Sequence, residues 1–171
     1  ASLAFAGRLE DRRYDTADRV LLARDIVLRL RIYRDARGVR AELEYKGPTE
    51  YDRGYKVREE IGSTVFDPDA IALILSGLGY TVLRAIDREI EQFEIANTII
   101  RFERYPRMDD LVEVEGEPEA IERAIALLGM PRGAFTAERL PDFAARFEAR
   151  TGGRAALCDA DLSAATSALG S

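Results

Sequence analysis

Histidine is absent from the 171 residues. That removes Ser-His and Cys-His nucleophile systems and imidazole metal ligands in one step. Cysteine occurs once, as Cys158, so no internal disulfide can form and a reducing cytoplasm is the expected location. Long apolar runs are missing too: none approaches the ~20 residues that a membrane-spanning helix needs, so no membrane partner is expected. The opening ASLAFAGRLEDRR lacks the basic start and apolar stretch of a secretory signal. Positive charge is in deficit, with 25 Lys and Arg against 31 Asp and Glu, which speaks against a nucleic-acid scaffold with a basic face. Any chemistry must use carboxylates, Lys, Arg, Tyr or a hard metal ion.

What is present suits a globular fold, with 47% hydrophobic and 33% charged residues in a length that fits one core with a helical appendage. From Arg12 to Glu115 short alternating segments separated by turn chemistry predict an antiparallel sheet or barrel. The expected strands are Glu10–Tyr14, Ile26–Tyr33, Val39–Lys46, Lys56–Ser63, Thr81–Ile95, Thr98–Tyr105 and Leu111–Gly116, with hairpins at Asp35-Ala36-Arg37-Gly38 and Asn97-Thr98. One helix interrupts them, capped by Asp67 and opened by Pro68, with Ile71, Ile74, Leu75 and Leu78 on one face and Gly79 as the stop. After Gly116 the period becomes helical: Ile121, Ala124, Ile125 and Leu128 form a stripe ending at Gly129, and a second stretch covers Leu140–Arg150. There Phe135, Phe143 and Phe147 are the expected packing anchors, and the Gly-, Ala- and Ser-rich tail from Thr151 reads as a loosely held end.

The strands carry charge on alternate positions. Val39, Ala41, Leu43 and Tyr45 share one face, and Arg40, Glu42, Glu44 and Lys46 share the other. In Leu28-Arg29-Leu30-Arg31-Ile32 both arginines fall on one face, in Glu113-Val114-Glu115 both glutamates do, and Lys56, Arg58 and Glu60 oppose Val57, Glu59 and Ile61. Any one strand of this kind reads as a sheet with one solvated face. Sign is also partly sorted by strand, however, with Arg29, Arg31, Lys46 and Arg58 early and Glu103, Glu113 and Glu115 late. Guanidinium groups grip phosphate oxygens in pairs, and Mg²⁺ or Mn²⁺ takes carboxylate oxygens together with phosphates. A polar tunnel holding a phosphate chain would want both.

Six segments occur in a familiar order: Asp11-Arg12-Arg13-Tyr14-Asp15-Thr16, Leu28-Arg29-Leu30-Arg31, Tyr45-Lys46-Gly47-Pro48, Arg58-Glu59-Glu60, Leu78-Gly79-Tyr80 and Val112-Glu113-Val114-Glu115. Together they resemble the CYTH superfamily, the triphosphate tunnel metalloenzymes, and most closely the class IV adenylyl cyclase branch. The resemblance covers about Glu10 to Gly116. It implies a mainly β fold with flanking helices (α+β): an eight-stranded antiparallel β-barrel tunnel over residues 1–129, followed by a helical extension over 130–171. It also implies that Arg29, Arg31, Lys46, Arg58 and Arg88 bind phosphate and that Glu60, Glu103, Glu113 and Glu115 bind Mg²⁺ or Mn²⁺.

The implied substrate is a small molecule carrying a triphosphate: ATP, thiamine triphosphate or inorganic triphosphate. Cyclisation of ATP to cyclic AMP and hydrolysis both stay open, as does a tunnel that binds without turnover. Tunnels of this family often pair, so a homodimer is compatible with the resemblance. Three departures accompany it. The family's Glu-x-Glu-x-Lys strand is not seen, and an upstream segment is the expected place for it. The Lys of its Lys-x-Arg pair falls on Ile86, with Arg84 nearest, and its Leu-Gly turn is Met108-Asp109 here.

Overall fold

The computed structural model describes residues 1–52 and 55–162. The chain forms two compact units, one of Leu9–Ile86 and one of Ala1–Arg8 with the chain from Asp87 onward. Seven strands make one sheet, in the order β6-β3-β2-β1-β7-β8-β9. They are β1 (Ser2–Thr16), β2 (Val27–Asp35), β3 (Gly38–Lys46), β6 (Glu60–Val65), β7 (Tyr80–Ile95), β8 (Thr98–Arg104) and β9 (Leu111–Glu115); β4 (Glu50–Asp52) and β5 (Tyr55–Val57) form a separate two-stranded ribbon. The chain is thus mainly β with flanking helices, and among the described residues its main sheet holds seven strands where eight were expected. The expected strand Lys56–Ser63 divides into β5 and β6 around Arg58 and Glu59, and the side chains of Lys56 and Val57 lie outside the described residues.

In the unit Leu9–Ile86, β2 pairs antiparallel with β3 through a two-residue turn, Asp35 opposite Gly38, and β3 pairs antiparallel with β6. The apolar alternation sets the packing. Leu30, Ile32 and Ala41 join Tyr14 and Leu75 in a buried cluster, with Leu28, Leu43, Val65, Ile71, Ala72 and Tyr80 against it. Leu75 comes from α2 (Pro68–Gly77), whose first turn is capped by the Asp67 carboxylate accepting from Ala70 N at 2.9 Å. This helix buries a narrower stripe than its sequence predicts. Ile71, Ala72 and Leu75 meet the core, while Ile74 and Leu78 are rotated off it and are 56% and 68% exposed. A four-residue helix, α1 (Val20–Ala23), follows β1. The Asp15 carboxylate accepts from Thr16, Leu21 and Leu22 N at 2.7–2.9 Å. Burial alone would raise the Asp15 pKa, but those backbone donors hold it below the usual carboxylate range.

In the other unit, β7 and β8 form a hairpin with Ile95 opposite Thr98, turned by Ala96 and Asn97 at φ 44° and 63°. β9 pairs on the far side of β8, and α3 (Pro118–Leu128) packs on β8 and β9 through buried Ala120, Ala124 and Ile125. Gly129 ends α3 at φ 66°, as its sequence position requires. The helix α4 (Leu140–Thr151) follows, and it buries no residue. Phe135, Phe143 and Phe147 are only partly covered, with Arg146 stacked 4.6 Å above the Phe143 ring and Arg150 5.8 Å above Phe147.

The segment after α4 is better tied than its composition suggests. Ala156 exchanges backbone hydrogen bonds with Arg107, the Leu157 carbonyl accepts from Asp87 N at 2.8 Å, and Asp159 N donates to the Asp87 carboxylate at 2.9 Å. Asp161 accepts from Leu157 N and Cys158 N. The rest of the expected loose tail, residues 163–171, lies outside the described residues.

Candidate functional site

Alternation along β2 turns Leu30 and Ile32 into the core and Arg29 and Arg31 to the opposite face. The register places Glu44 of β3 directly across from Arg29. Arg29 donates to Glu44 Oε2 through Nε at 2.8 Å and also through Nη2, while its Nη1 reaches Asp11 Oδ2 at 3.4 Å. Arg31 Nε donates to the same Asp11 oxygen at 3.3 Å, and its Nη1 lies 3.5 Å from Glu44 Oε1. Carboxylates are therefore threaded between the arginines, more closely than the sorting of sign along the sequence suggested. Burial opposes the charge on Arg31, yet Asp11, Tyr33 and Glu44 together hold its pKa above the ordinary guanidinium value.

A cavity of about 370 Å³ opens on this face, lined by Arg13, Val27, Arg29, Lys46, Arg58 and Glu60. Lys46 and Glu60 are cross-strand partners, and Lys46 Nζ donates to Glu60 Oε1 at 2.6 Å. That hydrogen bond, with the charges of Lys46, Arg29 and Arg58, lowers the Glu60 pKa despite partial burial. Arg58 is anchored on backbone: Nε donates to the Gly47 carbonyl at 2.7 Å, Nη2 donates to the Asp25 carbonyl, and the Asp25 carboxylate stands 3.4 Å away.

Three of the expected phosphate ligands, Arg29, Lys46 and Arg58, thus meet at one cavity with one expected metal ligand, Glu60. Arg31 is beside them, held by Asp11, and is not part of the lining. Arg13 was not singled out by the sequence, because Arg12 and Arg13 look equivalent there. The available signal was parity: Tyr14 is in the core, so its neighbour Arg13 must face away from it. Asp11 was missed for the same reason.

Arg88, Glu103, Glu113 and Glu115 belong to the other unit. Arg88 Nη1 lies 3.4 Å from Glu103 Oε1 and 3.3 Å from the Tyr105 hydroxyl, which donates to Glu103 Oε2 at 2.5 Å. Glu113 and Glu115 are both served by Arg101, which accounts for their pairing on one face of β9; Arg101 Nε also donates to Gln92 at 3.0 Å. Among the described residues, no three carboxylates gather so as to hold a metal ion.

Burial raises the Glu103 pKa, with Glu113 adding to the rise and Arg88, Tyr105 and Arg101 opposing it; burial also raises that of Tyr105. A carboxyl whose folded pKa exceeds its unfolded value binds protons more tightly in the folded chain. Its contribution is therefore present at low pH and is lost as pH climbs from the ordinary value of 4.5 through the raised one. Glu103→Gln is expected to flatten the fall in melting temperature above that pH. Parallel slopes for the two proteins across the window would sink the assignment.

A family model, the CYTH domain, matches residues 7–126. The chain belongs to the CYTH domain family. CYTH proteins process triphosphates, and the triphosphate tunnel metalloenzymes among them depend on metal as a class. Among curated proteins none matches the chain in sequence. Solved structures do. The protein PH1819 from Pyrococcus horikoshii OT3 is 25% identical over 75% of each chain, with a TM-score of 0.57. A candidate adenylate cyclase from Vibrio parahaemolyticus is 20% identical over 82% of each chain, at 0.63. A candidate adenylyl cyclase from Hippeastrum with a dominant triphosphatase activity is 16% identical over 84% of each chain, at 0.59. Likeness at 20% and 16% identity speaks for the CYTH fold alone. No helix among the described residues is long and apolar enough to cross a membrane.

The metal that the CYTH family implies can be tested against the cavity. Mg²⁺ is commonly held by one or two carboxylates with substrate phosphates and water completing the shell. Glu60 is the carboxylate on the cavity wall, and with its Oε1 already accepting from Lys46 Nζ it has one oxygen, Oε2, with which to meet a cation in that mode.

Proposed function

We propose that this CYTH protein processes a small molecule bearing a triphosphate, by nucleotidyl cyclisation or by hydrolysis. The observation that carries this reading is the cavity wall: Arg13, Arg29, Lys46 and Arg58 against one carboxylate, Glu60. A pocket with that charge favours a polyanion and disfavours a neutral or cationic ligand. Arg29 and Arg58 present planar donors to phosphate oxygens, and Lys46 supplies a point charge. In phosphoryl or nucleotidyl transfer these groups would orient the chain and stabilise charge developing on the leaving oxygen. A divalent cation, held in part by Glu60, would neutralise phosphate charge.

A second reading, a site that binds the anion without turnover, draws support from the carboxylates: Glu60 is the one lining the cavity, and Glu103, Glu113 and Glu115 are engaged by arginines. Incubation with ATP, thiamine triphosphate and inorganic triphosphate, each with Mg²⁺ or Mn²⁺, separates the readings by chromatography of the products. Cyclic AMP with pyrophosphate identifies a cyclase, and orthophosphate a hydrolase. Binding without products identifies the module. In each case Arg29→Ala is expected to weaken triphosphate affinity more than about tenfold, from the worth of a charge-assisted hydrogen bond. Unchanged affinity in that variant with the fold intact would remove the cavity from consideration.

A further inference from the structure

Three of the four cations at the cavity are already satisfied by protein. Arg29 has Glu44 and Asp11, Lys46 has Glu60, and Arg58 has two backbone carbonyls and the Asp25 carboxylate. Arg13 differs. Its Nε is buried with no hydrogen-bond partner among the described residues, and it stands in the field of Arg29, Arg31 and Arg84, with Asp11 as the opposing charge. Burial and those arginines lower its pKa, while Asp11 works against them.

An orphaned buried donor on a guanidinium costs stability unless something outside the chain accepts from it. The neighbouring carboxylate does not serve it: Asp11 Oδ2 accepts from Arg29 and Arg31, and Asp11 Oδ1 is itself buried with no hydrogen-bond partner among the described residues. The missing acceptor must reach into the cavity and tolerate three more cations around it, which favours an anion. A phosphate oxygen meets each condition.

We infer that Arg13 is a direct ligand of the bound phosphate chain and brings the cavity a guanidinium donor that no described residue accepts from. This deepens the triphosphate reading and rests on it. The ligand loses less at Arg13 than elsewhere, because no existing ion pair has to be shared or broken. Arg29, Lys46 and Arg58 present a site pre-shaped by the protein's own acids, and Arg13 supplies a buried donor left over for the ligand. Binding and folding then pull in opposite directions at this one residue, which an arginine serving the fold would not show.

The test is calorimetric titration of inorganic triphosphate into the wild-type chain, Arg13→Gln, Arg13→Lys and Arg29→Ala, with melting temperatures of all four proteins without ligand. Arg13→Gln is expected to bind about tenfold to a hundredfold more weakly, with a ligand-free melting temperature equal to or above that of the wild type. Arg13→Lys, which keeps the charge and loses the planar fork, is expected to fall between them. Wild-type affinity in Arg13→Gln alongside a loss in Arg29→Ala would overturn the inference and leave the triphosphate reading standing. A ligand-free melting temperature that drops with Arg13→Gln would overturn it in favour of a structural arginine. No binding by the wild-type chain would overturn both.

Discussion

Asp11→Ala is expected to cost about 3–5 kcal/mol of folding free energy, the range for removing one partner of a buried ion pair. Asp11 is 3% exposed, and its Oδ2 accepts from both Arg29 and Arg31. Those arginine side chains are 8% and 16% exposed, so each loses a partner in a largely buried position. Glu44 remains as a partner for both, which keeps the loss from doubling. The measurement is a urea denaturation series: the midpoint should fall with the slope unchanged. Asp11→Asn, which keeps the shape and one acceptor, should recover part of the difference. An unaltered midpoint in Asp11→Ala would show that Glu44 alone holds the two guanidinium groups.

Leu30→Ala carries a comparable penalty of about 2–5 kcal/mol, from lost burial and the cavity left behind. Leu30 is 1% exposed and sits among Tyr14, Ile32, Ala41 and Leu75. Its chain neighbours Arg29 and Arg31 point the other way. The substitution should therefore lower the urea midpoint while leaving triphosphate affinity, measured under conditions where circular dichroism shows the chain folded, within about twofold of wild type, since separate sites act nearly additively. A chain that is folded but has lost its affinity would mean that the two faces of β2 are coupled through the backbone.

This division between faces was legible in the sequence because side-chain alternation in a strand is strict. Leu30 and Ile32 against Arg29 and Arg31, and Ala41 and Leu43 against Glu44 and Lys46, needed no structure. Cross-strand partnership was harder to read. That Asp11 serves two arginines depends on how β1 lies against β2, and no local pattern encodes it. Arg13 stayed hidden for a related reason: the expected strand Glu10–Tyr14 is part of a longer β1, and only burial of Tyr14 fixes which of Arg12 and Arg13 faces the cavity. The α2 stripe was read two residues too wide, since Ile74 and Leu78 satisfy helical spacing as well as Ile71 and Leu75 do. Periodicity counts candidates for burial; the width of the surface they pack on decides among them. The segment around Ala156 was illegible because its order comes from backbone bonds to Arg107 and Asp87, which leave no imprint on side-chain type.

That last segment also bears on how the chain is made. Arg8 donates to Asp159 at 2.6 Å across 151 positions of sequence, and the Asp87 and Ala156 contacts span most of the second half of the chain. On a ribosome, Arg8 emerges long before its partner has been translated. The strands that bracket the cavity can pair early, whereas the bond between Arg8 and Asp159 waits until Asp159 has emerged and closes a loop of 151 positions. Emergence of the segment around Ala156 and Asp159, more than any shorter length, is the point at which this unit acquires these bonds.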